Sequence, residues 1–264
     1  LLLEVPEAEA EGLVAELYED IRHVLGLPLV NLVYRHLAVE PERLRTAWRQ
    51  LRPNLTDATA DRGAEELLRA PHLEVPPFPL EALRAVGLGR ADLGAVAATI
   101  DAYNYANPRN LLALLSLLHG ADGSGGATPR EATGPVGEIL PIASLPELDE
   151  ATLALLQEMS IPFAARGEAT LVPGLLRHFA FSPALLALFW MALRPLARGG
   201  AIAREGNVVA AKARRLAAAL PHPVEATRDP ETRAVLLRFG RTVPRMIVAG
   251  VALRGALDEA AGAG

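Results

Sequence analysis

Apolar and polar residues follow a helical period along almost the whole chain. In AEAEGLVAELYEDIRHVLG, Leu13, Leu17, Ile21, Val24 and Leu25 recur at three- and four-residue spacings. That spacing predicts an amphipathic helix with these residues inward. ADLGAVAATIDAYNYA, GNVVAAKARRLAAAL and PETRAVLLRFGRTV also read as helices. No run alternates strictly or concentrates β-branched residues, so strands are not expected. Pro41 and Pro183 stand where a helix can begin, because a first turn tolerates the missing N–H. Pro108 and Pro244 fall inside two long apolar segments. There they predict a break or kink that frees backbone groups to line a ligand site.

The pattern is also written twice. At an offset of 142, ten of the 24 positions in 30–53 and 172–195 are identical, among them Arg35/Arg177, His36/His178, Pro41/Pro183 and Trp48/Trp190. The chain has two Trp residues, and they fall on each other. At an offset of 136, AYNYANPRNLLALLSL aligns with RFGRTVPRMIVAGVAL, which sets Tyr103 on Phe239 and Pro108-Arg109 on Pro244-Arg245. HGADGSGGATPREATGPVG separates the copies, and its Gly and Pro content marks a linker. The predicted architecture is therefore all-α, with repeat 1 over 1–119, a linker over 120–138 and repeat 2 over 139–264. The copies should pack as an intramolecular pseudo-dimer with a cavity at the pseudo-twofold axis, like a homodimer fused into one chain.

Composition narrows the function more than it identifies it. The net charge of −5 gives no basic field for nucleic acid or an anionic membrane. The absence of Cys excludes disulfides, thiolate metal sites and a cysteine nucleophile, and fits a reducing, cytoplasmic location. LLLEVPEAEAEG has neither a cationic region nor a long apolar run, so no signal peptide is expected. FAFSPALLALFWMAL, the most apolar stretch, spans 15 residues and is interrupted by Pro183. A membrane helix needs about 20, so a buried helix is the reading.

Six histidines occur without HxH, HExxH or a Cys/His cluster, and no metal or other cofactor is expected. GLGRADLG follows no strand and lacks dinucleotide spacing, and GSGG lacks the Lys of a phosphate loop, so both read as turns. The recurrence of Arg35-His36 as Arg177-His178 favours a shared structural role, with each Arg meeting an acid or a helix end. In a functional reading His178 is a base or ligand contact, which an ordinary pKa near 6.5 would suit. Asn104 and Asn107, three apart on one helical side, either satisfy backbone freed by Pro108 or orient a ligand or water. Copy two carries Gly240 and Val243 there, so any polar role is needed once, as expected of a site on a pseudo-axis.

YNYANPRNLLALL resembles the Asn-Tyr-x-Asn-Pro-Lys segment of the group I 2-haloacid dehalogenases, and LYEDIRHVLGLPLVNLVYRHLAVEP and VPGLLRHFAFSP resemble other segments of that family. The resemblance implies an all-α pseudo-dimer with one site between the repeats, where an Asp activates a water that displaces halide from C2 with inversion. An Asn that holds the water falls on Asn107. The Asp falls on Leu175, and no Asp or Glu occurs between Glu168 and Glu205. Water activation needs a proton acceptor, which leucine lacks. An aromatic wall residue falls on Leu29 and a pocket Tyr on Phe239. The expected pocket takes in Leu29, Leu32, Tyr103, Asn104, Gly174, Leu175 and Phe239; the first reading is a member of the family without efficient dehalogenase activity that binds a ligand there, and a second is a hydrolase with a relocated base such as His178. The expected ligand is a small carboxylic acid or apolar molecule, and the chain is expected to be a monomeric pseudo-dimer or a homodimer. A third reading is a structural or interaction protein whose cavity is filled by its own side chains.

Overall fold

The computed structural model describes residues 3–130, 134, 137–164 and 171–262, with the side chains of 259–262 excepted. Residues 131–133, 135 and 136 of the expected linker lie outside this set. Eleven α-helices form the described chain: α1 Gly12–Leu25, α2 Leu32–Leu37, α3 Pro41–Leu55, α4 Ala58–Leu68, α5 Leu80–Ala85, α6 Arg90–His119, α7 Glu150–Ser160, α8 Gly174–His178, α9 Pro183–Arg198, α10 Ala201–Ala218 and α11 Pro230–Gly262. The fold is all-α, and no strand occurs among the described residues. No single helix there is long and apolar enough to cross a membrane.

Local chemistry explains the helix ends. Pro41 and Pro183 open α3 and α9. Asp57 and Asp149 cap α4 and α7 by accepting the amides of Thr59 and Thr152 at 2.8 and 3.0 Å. Gly26 closes α1 at φ 65°, a left-handed conformation that glycine adopts without a Cβ penalty. Of GLGRADLG, Gly87 to Gly89 precede α6 and Arg90 to Gly94 already belong to it, so the segment is a helix start more than a turn; Gly89 donates its amide to the Asp92 carboxylate at 2.8 Å.

Two expectations need correction. The buried face of α1 is Val14, Tyr18, Ile21, Val24 and Leu25, with Leu13 and Leu17 at its margin. The Tyr18 hydroxyl reaches the Val5 carbonyl at 2.9 Å, which lets a residue with a polar tip take the inner position. Neither Pro108 nor Pro244 interrupts its helix: α6 runs 30 residues and α11 runs 33. Each proline removes one backbone hydrogen bond, but α6 is buried continuously from Ala106 to Leu118. That apolar burial outweighs the loss.

α6 and α11 form the most extensive helix–helix contact, flanked by α4 and α10. Each long helix serves two hydrophobic cores. Val96, Ile100 and Tyr103 of α6 are buried with Leu156 of α7, Leu175 of α8 and Phe189 of α9, whereas Leu111 to Leu118 are buried with helices α1 to α3. α11 does the converse: Leu236, Phe239 and Val243 join the first core, and Ala252, Leu253 and Ala256 the second. The two long helices therefore exchange ends.

Candidate functional site

Where α6 and α11 pass α2 and α8, a small cavity remains. The centre of a water molecule can range over about 40 Å³ within it. One water needs roughly 10–15 Å³ by this measure, so the space suits about three waters or a ligand of a few heavy atoms. A wider cleft elsewhere is lined by Arg22, Gly26, Arg52, Thr56 and Arg130.

The cavity wall follows the two sequence offsets. Six pairs of matched positions face it: Asn31/Pro173, Leu32/Gly174, Val33/Leu175, Tyr103/Phe239, Asn107/Val243 and Asn110/Met246. Leu171 and Thr242 complete the lining. In four pairs the first member is polar and the second apolar. The first copy thus contributes Asn31, Tyr103, Asn107 and Asn110 to the lining where the second contributes Pro173, Phe239, Val243 and Met246.

The polar lining residues are incompletely satisfied. Asn110 Oδ1 accepts from the Tyr34 hydroxyl at 2.8 Å, but its Nδ2 is buried without a partner, as is Asn31 Oδ1. An unmet buried polar atom costs about 1–3 kcal/mol, so these amides favour an occupant that exchanges hydrogen bonds with them. Among the described lining residues there is no Asp, Glu, Lys or Arg. Nor do the described residues group three His, Asp or Glu side chains as a metal site.

The expected site residues divide. Leu32, Tyr103, Asn107, Gly174, Leu175 and Phe239 line the cavity. Leu29, Asn104 and His178 do not. Leu29 is buried in the second core. Asn104 turns toward α11, where a Cβ on Gly250 would lie 2.3 Å from its Oδ1. His178 stands behind Tyr103, with Nδ1 2.6 Å from the Leu140 carbonyl and Nε2 3.1 Å from the Tyr103 hydroxyl. A carbonyl only accepts, so Nδ1 carries the proton and Tyr103 donates to Nε2. Burial pushes the His178 pKa down to about 4 and raises that of Tyr103. Sequence reasoning missed Asn31 and Asn110. The test that singled out Asn107, polar in copy one and apolar in copy two, also marks Asn31 against Pro173 and Asn110 against Met246.

The matching positions behave alike outside the cavity too. His36 Nδ1 lies 2.5 Å from the Leu3 carbonyl, as His178 Nδ1 lies by Leu140. The His36 ring meets Phe239 at 5.5 Å between centroids, and His178 meets Tyr103 at 5.4 Å. Phe239 has no hydroxyl, and His36 Nε2 is buried without a partner.

No family model matches the chain. It is 30% identical over 132 residues to the configuration-inverting 2-haloacid dehalogenase of Pseudomonas sp. (strain 113), covering 48% of this chain and 43% of that one. A 33% match to a second configuration-inverting 2-haloacid dehalogenase, from Alcaligenes xylosoxydans xylosoxydans, covers 43% and 39%. The aligned region is thus less than half the length of these two relatives. Identity to the (R)-2-haloacid dehalogenase of Pseudomonas putida is 24% over 251 residues, covering 88% and 81%. The fold superposes on a D-2-haloacid dehalogenase mutant with a TM-score of 0.86 at 18% identity, covering 97% and 96%.

Proposed function

We propose that this chain, a member of the 2-haloacid dehalogenase family, holds a small neutral, hydrogen-bonding molecule in its central cavity and does not release halide efficiently. The observation that carries this reading is the composition of the wall. Leu175 shares it with Asn107, and no described lining residue offers a carboxylate to deprotonate water. A buried substrate carboxylate would meet amides and hydrocarbon but no cation, which is costly. A neutral molecule with polar and apolar groups matches the mixed lining, in which Asn31, Asn107 and Asn110 share the cavity with Leu175, Val243 and Met246. The experiment is chloride release from each enantiomer of 2-chloropropionate. The wild type is expected to stay at the uncatalysed rate with both, and turnover of either would overturn the reading. Leu175→Asp gains release only where the cavity still accepts a haloacid.

The Tyr103–His178 hydrogen bond favours a second reading, in which water passes a proton to Tyr103 as Tyr103 passes its own to His178. A His pKa of about 4 makes this a weak acceptor. Should the wild type release chloride, Tyr103→Phe would abolish it under this reading and spare it otherwise.

The pseudo-dimeric organisation is part of the same proposal. It is supported by the six matched pairs around the cavity and by the crosswise contacts Tyr103–His178 and Phe239–His36. In a two-fold arrangement, where i meets j′, j meets i′. A cavity on such an axis would begin with equivalent residues from both copies, and divergence would leave polar ones in the first and apolar ones in the second.

A further inference from the structure

The two Arg-His motifs converge on one acid. Arg177 donates to Glu4 Oε1 at 2.8 Å and Arg35 Nε lies 3.0 Å from Glu4 Oε2, although 173 and 31 residues separate Glu4 from them. The Arg35 and Arg177 side chains are 5% and 6% exposed and that of Glu4 is 19% exposed. The match is uneven. Arg177 is well held, with Nε also donating to the Ala143 carbonyl at 3.0 Å. The Arg35 contact is close without being aligned as a hydrogen bond: Arg35 Nε and Glu4 Oε2 are both buried atoms lacking one. A buried arginine with an unaligned donor, beside a second arginine, is a ready carboxylate receptor.

Glu4 is carried by a segment that is easy to lift. No residue from Leu3 to Ala10 is fully buried. Val5 and Ala10 pack only at the margin of the first core, and the other contacts are polar: the Val5 amide to the Arg35 carbonyl at 3.1 Å, His36 Nδ1 to the Leu3 carbonyl, the Tyr18 hydroxyl to the Val5 carbonyl, and Glu7 to Arg22 and the Val30 amide. Segments with little apolar burial open at low free-energy cost. We propose that Arg35 and Arg177 form a binding site for small monocarboxylates that Glu4 occupies from within the chain, so that Leu3 to Ala10 is a displaceable internal ligand. A free carboxylate then competes with Glu4 for the guanidinium pair. The site is separate from the neutral cavity and does not depend on what occupies it.

The test is calorimetric titration of the full chain with propionate, with inorganic phosphate and chloride as comparison anions, and hydrogen exchange at the Val5 amide. Glu4→Gln keeps the shape of the side chain but leaves the two arginines without their anion. It is expected to bind propionate at least about tenfold more tightly than the wild type, and Glu4→Gln/Arg177→Leu is expected to lose the gain. In the wild type, propionate should speed exchange at Val5 in a saturable way, because displacing Glu4 frees the segment. An unchanged affinity in folded Glu4→Gln, a gain that survives Arg177→Leu, or equal binding of phosphate would overturn the proposal. If Glu4→Gln does not fold, the wild-type exchange decides: no response at Val5 overturns it.

Discussion

At the scale of single residues, paired positions show what one atom contributes. The Phe239 ring sits by His36 much as Tyr103 sits by His178, but only Tyr103 supplies a hydroxyl. Phe239→Tyr should let a new hydroxyl donate to His36 Nε2 and raise stability by about 1 kcal/mol, read as a higher urea midpoint; an unchanged or lower midpoint would show that the hydroxyl does not reach. The buried histidines also predict a pH dependence. His178 titrates near 4 in the fold and near 6.5 when unfolded, and burial shifts His36 in the same direction. Between these values the unfolded chain binds the extra proton. Stability is therefore full above pH 6.5 and falls as pH drops toward 4, by about 3 kcal/mol for His178. Urea midpoints measured from pH 7.5 down to 4.5 check this, and a flat profile would contradict a neutral His178. At this scale the sequence was informative where chemistry was absent: Leu175 could be read directly. The orientation of Asn104 could not, because it depends on Gly250, 146 residues away and across a helix crossing.

At the scale of elements, the α6–α11 crossing is a close fit. Both helices were legible from their period, and their prolines were legible as positions. That the helices continue through the prolines was not, because burial on a partner outweighs one lost backbone bond. Gly250 admits Asn104 at the crossing, where a Cβ would come within 2.3 Å of its Oδ1. Gly250→Val should cost about 1–3 kcal/mol through overpacking. Asn104→Ala removes the obstructing amide and should recover much of that loss. Urea unfolding of the two single variants and the double variant gives the coupling; purely additive losses would place the strain elsewhere.

At the scale of the whole molecule, each long helix is buried partly by the opposite half. Tyr103 belongs to the core of α7 to α9, and Phe239 to the core of α1 to α3. Residues 1–119 and 139–264 produced separately should therefore each lack a stable fold, and mixing them should restore helicity and one complex. Circular dichroism and gel filtration check this, and a folded, monomeric 1–119 would refute the exchange. By itself the sequence determined the helical class, the repeated segments and the absence of an acid at Leu175, because these follow from local period, from identity at fixed offsets and from side-chain chemistry. Only the tertiary structure decided which residues face the cavity, that Asn31 and Asn110 join Asn107 there, that His178 stands behind Tyr103, and that Arg35 and Arg177 share Glu4. Those facts depend on long-range packing, where the position of a side chain is set by partners the local sequence does not contain.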